Sequence, residues 1–418
     1  MRTLLVGNGA REHAIAWKLA GSPLVSRLYV APGNAGTAAL GENVPIAAED
    51  IEGLLRFAID NGIEFTVVGP EAPLALGVVD LFEDRGLAIF GPSKEAARLE
   101  SSKSFAKQVM ESGDVPTAKA ARFAVYEDAS RYVQSCPLPT VVKADGLASG
   151  KGVIIAQTRF EAQDAVRRVM HEREFGAAGD CVLIEEFLEG PEVSVFAFVN
   201  GDWVSPVVSA CDYKRACDGD TGPNTGGMGA YSPPRFWTAS LETEVRSRIL
   251  EPVARVMSSR GTPYKGVLYA GLMLTEDGPK VIEFNCRLGD PETQVVLPRL
   301  KSDLAKVMIE VAQNRVSDVT IEWDDRCCVG VVLASGGYPG KYATGFPIEG
   351  LDSVDGDVQV FHAGTRRDGN TVSTGGGRVL TVSACGDSIA EARSRAYENA
   401  GRIRFEGSQF RRDVALLV

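Results

Sequence analysis

Val141-Val142-Lys143-Ala144-Asp145-Gly146-Leu147-Ala148-Ser149-Gly150-Lys151-Gly152-Val153 decides how this 418-residue chain folds. Lys143 closes an apolar strand, a loop with three glycines and a second lysine follows, and a second apolar run begins at Val153. The segment reads as a hairpin whose main-chain amides can close over a triphosphate. It is not a Walker A loop, because GxxxxGK[ST] runs into a helix, whereas here Gly152 replaces Ser or Thr and a strand follows. The alternative is a hairpin with a solvated lysine.

Downstream lies Val281-Ile282-Glu283-Phe284-Asn285-Cys286-Arg287-Leu288-Gly289-Asp290-Pro291-Glu292-Thr293-Gln294. Residues i and i+2 of a strand share a face, so Glu283 and Asn285 project together while Ile282 and Phe284 enter the opposite layer. A carboxylate and an amide oxygen on one face suit Mg²⁺ held jointly with nucleotide phosphates. Arg287 joins that face if the strand continues, placed to clamp a carboxylate or a phosphoryl oxygen. The alternative is an exposed polar strand face. Only three histidines exist and no CxxC pair, so a His- or Cys-rich metal centre is excluded. The eight cysteines read as reduced core or loop thiols.

Two segments lie between these motifs. In 184–192, the main chain around Glu185, Glu186, Phe187 and Leu188 is placed to read an adenine edge, and Glu192 to hold a ribose hydroxyl; solvated strand-end acids are the alternative. Asp212 and Lys214 lead into 218–229, where five glycines and two acids in twelve residues predict no packed element. A long loop with so little apolar content reads as functional. Its Asn224, Thr225, Gly226, Gly227 and Met228 are the substrate candidates.

At the N-terminus, strands at 3–6, 27–30, 65–68 and 88–90 alternate with glycine turns and helices at 12–20, 51–61 and 74–85. That pattern predicts a parallel α/β sheet with ligands at the carboxyl ends of its strands. Gly7-Asn8-Gly9-Ala10-Arg11-Glu12 begins like a dinucleotide fingerprint but ends in Glu12, not a small residue. It reads either as a phosphate-binding helix N-terminus or as a tight turn required by topology. Boundaries near 100 and 316–325 divide the chain into 1–100, an α+β unit at 101–316 with a lid at about 119–190, and a small α/β unit at 325–418. The tail has strands at 328–334 and 378–384 and one helix at 388–403. Acids outnumber bases 55 to 44 and no basic block stands out, which disfavours nucleic acid as a partner. No 18-residue apolar run exists, so no transmembrane helix is expected, and a cytoplasmic location is.

The order of Lys103, Lys143, the glycine loop, EEFLEG and EFN resembles the ATP-grasp superfamily. GNGAREHA, PGNAGTA, VVGPEAPL, KADGLASGKGV, DYKR, GPNTGGMGAYSP, EFNCRLGDPETQ and LASGGYPG narrow it to the phosphoribosylamine–glycine ligase family, from residue 1 to about 415. That resemblance implies joining of glycine to 5-phosphoribosylamine with ATP, through glycyl phosphate, in purine synthesis. It implies that Lys103, Lys143, Gly146, Ser149, Gly150, Lys151, Gly152 and 185–188 with Glu192 hold ATP. Glu283 and Asn285 would carry Mg²⁺ or Mn²⁺. Gly7, Asn8, Gly9, Arg11, Glu12, Gly69, Pro70, Glu71, Asn224–Met228, Arg287 and Asp290 would hold the other substrates, with Lys143, Arg287, Asp212 and Lys214 catalytic. A monomer is implied. Leu288 stands where the family usually has Phe, and Tyr213 where it often has His. Many ATP-grasp enzymes carry a further acid on the strand before EFN; GVLYAGLML has none. A carboxylase of the same superfamily would lack DYKR and GPNTGGMGAYSP. A nicotinamide oxidoreductase is disfavoured by Glu12 and by the lack of an acid ending strand 27–30. A non-catalytic scaffold is disfavoured by the presence of Lys143, Glu283, Asn285 and Arg287.

Overall fold

A computed structural model describes residues 1–148 and 152–416. Five parallel strands open the chain: β1 (Arg2–Gly7), β2 (Arg27–Pro32), β3 (Glu42–Asn43), β4 (Phe65–Val68) and β5 (Ile89–Phe90), in the order β3-β2-β1-β4-β5. β1 is buried on both faces, Leu4 and Val6 packing into one core and Leu5 into another, which is why its sequence is continuously apolar. The strand order reverses between β1 and β4, so their carboxyl ends form the crevice at which such sheets bind ligands. The helix expected over 74–85 is two short ones, Glu71–Leu76 and Val78–Glu83. Gly77 separates them at φ +93°, a left-handed conformation that a helix interior does not tolerate.

The lid is an antiparallel sheet of β6 (Ala120–Phe123), β7 (Thr140–Ala144), β8 (Val153–Ala156) and β9 (Val182–Glu186), ordered β6-β9-β7-β8. Two helices, Tyr126–Tyr132 and Arg159–Val166, cover it. Val142, Ala156, Val182 and Ile184 pack with Ala129, Val133, Ala162 and Val166 into a core separate from the other two. The helix Lys103–Ser112 precedes the lid, its N-terminus capped by Ser102, whose side chain accepts from Phe105 N.

The remaining strands are β10 (Glu192–Asn200), β11 (Trp203–Val204), β12 (Val208–Asp212), β13 (Arg215–Cys217), β14 (Thr221–Asn224), β15 (Gly229–Ser232), β16 (Lys265–Thr275), β17 (Gly278–Asn285), β18 (Cys327–Ala334), β19 (Gln359–His362), β20 (Thr365–Asp368), β21 (Thr371–Thr374) and β22 (Arg378–Gly386). β17-β16-β10-β12-β15-β18-β22-β19 form one sheet. β15 pairs with β18, so hydrogen bonding crosses from the middle of the chain into its last ninety residues without a break. β13 and β14 pair as a hairpin, which corrects the expectation of no packed element in 218–229. The hairpin is pinned from the tail, where Asp413 accepts from Gly219 N at 2.9 Å and Arg412 N donates to Asp218 at 2.7 Å. No helix among the described residues is long and apolar enough to cross a membrane.

Candidate active site

Lys143 and Glu185 are both buried charges of the lid. On the paired strands β7 and β9, Val141 faces Glu185, so Lys143 and Glu185 are diagonal neighbours on one face. Lys143 Nζ lies 2.8 Å from Glu185 and donates to Ile282 O at 3.1 Å, reaching from the lid to β17. Lys107 Nζ holds the other Glu185 oxygen at 3.1 Å and donates to Ala118 O at 2.7 Å. Glu185 is therefore a buried counter-ion between two lysines rather than a solvated strand-end acid. Burial lowers the pKa of Lys107 despite that partner.

Lys103 Nζ donates to the carbonyls of Ala144 and Gly146, both at 3.0 Å, and so ties the start of the glycine loop to the helix Lys103–Ser112. Asp145 accepts from Ser104 N at 3.0 Å and from Ser104 Oγ, fixing the same junction. Burial lowers the pKa of Lys103, with Glu283 opposing and Lys143 adding to the shift. A Cβ on Gly146 would stand 2.7 Å from Ala178 Cβ, and one on Gly152 2.7 Å from Ala148 Cβ, so both positions are too crowded for a side chain. Ser149, Gly150 and Lys151 lie outside the described residues. Glu186 Oε1 accepts from Lys119 N at 3.0 Å. The main chain of Phe187 and Leu188 makes no loop hydrogen bond among the described residues and is left open to a ligand.

On β17 a bulge interrupts the alternation: Gly271 pairs with Glu283 and the next residue, Leu272, with Val281. Ile282 is the extra residue. Val281 and Phe284 both enter the core, three positions apart, and Ile282 does not share the buried layer with Phe284 as strict alternation required. Glu283 takes no hydrogen bond or ion pair among the described residues. Asn285 Oδ1 accepts, among the described residues, only from Arg287 Nη2, at 3.1 Å. Arg287 is held from three sides: Nε donates to Glu71 at 3.1 Å, Nη2 lies 2.8 Å from Glu100, and Nη1 donates to Leu288 O at 3.3 Å. Of its five N–H groups, one Nη1 hydrogen is left, which is too few for a two-pronged grip on a carboxylate. Burial works against its charge, but Glu100 and Glu71 outweigh it and hold its pKa above the ordinary value. Burial pushes Glu100 up to about 6 against Arg287. Burial also opposes the charge of Glu71, yet Arg287 and Arg11 bring it down to about 2.

A second acidic group faces β17. Lys214 pairs with Glu192 and lies 4.0 Å from Asp212. Burial disfavours its charge, but Asp212 and Glu192 win and raise its pKa. Burial raises Asp212. Ser194 Oγ joins Tyr269 Oη at 3.0 Å and Glu292 Oε1 at 2.9 Å, and burial, then Asp212, raises Glu292. Met228 is buried, its N–H donating to Tyr213 O at 2.8 Å and its carbonyl accepting from Val332 at 3.1 Å. Thr225 Oγ1 donates to Lys214 O at 2.8 Å and accepts from Gly227 N at 3.0 Å; Asn224 ends β14, exposed.

Glu12 fills the crevice between β1 and β4. Its Oε2 accepts from Gly9 N at 2.6 Å and its Oε1 from Arg11 Nε at 2.6 Å. A Cβ on Gly7 would stand 2.4 Å from Glu12 Cγ, and one on Gly69 2.3 Å from Glu12 Oε1. These glycines make room for a protein carboxylate, which takes the place an anion would occupy at this helix N-terminus. The sixth position of the motif, large and charged, is thus the reason for the glycines around it. Asn8 O accepts from Asn34 Nδ2 at 2.9 Å, and Pro70 precedes the helix Glu71–Leu76. Asp290 lies against this crevice, its Oδ2 3.3 Å from where a Gly9 Cβ would be.

Three family models cover almost all of this chain. The phosphoribosylglycinamide synthetase N domain matches residues 1–100, the ATP-grasp (A) domain 101–293 and the C domain 328–417. The chain belongs to the phosphoribosylglycinamide synthetase family. It is 49% identical over 415 residues to a phosphoribosylamine–glycine ligase of Halalkalibacterium halodurans, covering 99% of this chain and 96% of the relative. A ligase of the same name from Vibrio vulnificus is 50% identical over 418 residues, covering 99% and 97%. Among solved structures, phosphoribosylamine–glycine ligase from Thermotoga maritima superposes with a TM-score of 0.87 at 34% identity, covering 99% of this chain and all of that one. The biotin carboxylase domain of Hydrogenobacter thermophilus 2-oxoglutarate carboxylase, in complex with MgADP, shares the fold with a TM-score of 0.76 at 17% identity, over 98% and 91%.

Hydrogen bonds, ion pairs and electrostatic contacts link Lys103, Lys143, Glu185, Glu283, Asp212 and Lys214 where the lid meets β17, with Asn285 two residues from Glu283, and link Arg11, Glu71, Arg287 and Asp290 at the N-terminal crevice. Sequence reasoning missed Lys107, Glu100 and Glu292. Lys107 follows Lys103 by one helical turn, a spacing that could have revealed it. Glu292 stands in the GDPE run itself.

Proposed function

We infer that this chain joins glycine to 5-phosphoribosylamine at the expense of ATP, giving glycinamide ribonucleotide, ADP and phosphate in purine biosynthesis. Full-length relatives at about half identity that bear this enzyme's name carry the assignment. The cleft supports it. A free carboxylate is a poor acyl donor, so glycine is first phosphorylated on its carboxylate, and the sugar amine then displaces phosphate. Phosphoryl transfer needs positioning and charge neutralisation more than covalent help from the protein. Lys143, which precedes the glycine loop, and Lys103, bonded to the loop's first carbonyls, supply positive charge there, and the open main chain at Phe187 and Leu188 suits the adenine edge. Lys214 and Asp212 orient the acceptor, while Arg287, with a single free N–H, orients the carboxyl group of glycine without gripping it. Exclusion of water from the reacting groups would protect the acyl phosphate from hydrolysis.

The residues also fit a divalent cation. Glu283 has an unclaimed carboxylate and Asn285 an oxygen two residues away, a hard-donor pair. The described residues hold no cluster of three acidic, His or Cys ligands, so phosphate oxygens and water would complete the shell. Bound there, Mg²⁺ or Mn²⁺ would draw charge from the transferred phosphoryl group. We also place the enzyme in the cytoplasm as a monomer.

Release of ADP, measured with ATP, Mg²⁺, glycine and freshly generated phosphoribosylamine, and with each omitted in turn, tests the reading. Strict dependence on all four is expected. ADP formation that ignores glycine or the sugar amine would overturn the substrate assignment.

A further inference from the structure

Gly226 lies in the loop named above as a substrate candidate, next to Thr225, whose hydroxyl donates to the carbonyl of the acceptor-orienting Lys214, yet both of its main-chain groups are held by the C-terminal unit. Its N–H donates to Tyr338 Oη at 2.9 Å, and its carbonyl accepts from Arg378 Nη1. The same Nη1 donates to Asp290 O at 3.0 Å and lies 3.2 Å from Asp290 Oδ1. One nitrogen therefore ties the 224–228 loop to the turn that carries Asp290, and Asp290 in turn faces Gly9 of the N-terminal crevice.

The fold explains how residues 226 and 378 meet. β15 pairs with β18, and β18 with β22, so the loop before Gly229 sits beside Val332 and one strand away from Arg378. The contact surfaces leave no room for side chains. A Cβ on Gly226 would stand 2.9 Å from Arg378 Cζ, and one on Gly377 2.3 Å from the Tyr338 ring. Tyr338 is anchored in turn, its N–H donating to Ser335 O at 3.1 Å and its carbonyl accepting from Gln409 Nε2 at 2.9 Å. Gly226 of the central unit and Gly377 of the C-terminal unit thus let Tyr338 and Arg378 of the C-terminal unit close on the loop.

We propose that Arg378 and Tyr338 are positioning residues for the phosphoribosylamine site, holding Gly226 and Asp290 together so that the C-terminal unit sets the affinity for the acceptor amine and not for ATP or glycine. This rests on the ligase reading above. The side-chain hydrogen bonds and ion pair of Arg378 among the described residues all use Nη1, so a single well-placed nitrogen suffices, and Lys should replace it in part.

The test is steady-state kinetics of the full chain with each substrate varied. Arg378→Met is expected to raise KM for phosphoribosylamine roughly 10- to 100-fold, the loss of charge-assisted hydrogen bonds. KM for ATP and glycine should stay within about twofold and kcat within about threefold, and Arg378→Lys should recover most of the loss. Tyr338→Phe, which removes one hydroxyl and leaves the ring packed on Gly377, should raise the same KM about 2- to 10-fold. It carries the test alone if Arg378→Met does not fold. Equal shifts in all three KM values, a fall in kcat alone, or no difference between the Met and Lys variants would overturn the proposal. If the wild-type enzyme turns over without phosphoribosylamine, the ligase reading itself falls and takes the proposal with it.

Discussion

Replacing Glu185 by Gln probes the charge arrangement beneath the glycine loop. Glu185 is 4% exposed, and its two oxygens hold Lys143 Nζ at 2.8 Å and Lys107 Nζ at 3.1 Å. The amide keeps the shape and removes the charge, so two buried ammonium groups are left without a counter-ion. Breaking a buried pair in this way costs about 3–5 kcal/mol. The loss has a ceiling, because a lysine can release its proton instead. From an ordinary value near 10.4, deprotonation at about pH 8 costs roughly 3 kcal/mol, at about 1.4 kcal/mol per pH unit. Lys107 is the group that gives way, since burial already holds it below that value. The variant's folded state then binds fewer protons than its unfolded state, so its deficit shrinks as pH rises. It should be at most about 3 kcal/mol near pH 8 and under about 1 kcal/mol near pH 10. Urea unfolding of both proteins across that range measures it, and the double variant Glu185→Gln/Lys107→Met should recover at least half of the loss. A deficit under about 1 kcal/mol at pH 8, or one indifferent to pH, would refute the counter-ion role.

Glu283→Ala should lower metal-dependent turnover at least about a hundredfold with an unchanged far-UV circular dichroism spectrum, because Glu283 carries no structural contact to lose; wild-type-like turnover would remove it from the site. Glu100 titrates near 6 when folded against an ordinary 4.5, raised first by burial and partly offset by Arg287. Its folded state is the better proton binder, so its contribution to stability grows as pH falls through about 6 and levels off below about 4.5. Melting of wild type against Glu100→Gln should show that increment in the wild type alone, and parallel pH profiles would count against it. Gly69→Ala puts a methyl group 2.3 Å from Glu12 Oε1 and should cost about 1–3 kcal/mol, read as a lower Tm; an unchanged Tm would mean that Glu12 is not wedged there.

Local sequence carried much of this protein. The apolar run of β1 marked the first strand of a parallel sheet, and the lysine–glycine loop between two apolar runs marked the β7–β8 hairpin, because strand patterning and turn chemistry are written within a few residues. Glu283 and Asn285 were recognisable from a spacing of two in a strand, although the bulge at Ile282 altered what lay behind them. Glu12, read from sequence as the departure from a dinucleotide fingerprint, is the group for which Gly7 and Gly69 leave space. That could not be read from the motif, because Gly69 belongs to a different strand. Glu185 as a counter-ion, the acids around Arg287, and the grip of Tyr338 and Arg378 on Gly226 join residues separated by tens to hundreds of positions. Periodicity and spacing specify which face of an element a side chain occupies, and the sequence by itself determined that much here. Which charge meets which depends on how the separate sheets of the N-terminal unit and the lid pack against the sheet shared by the central and C-terminal units, and only the tertiary structure decides it, since a buried ion pair leaves no pattern within the segments that supply it.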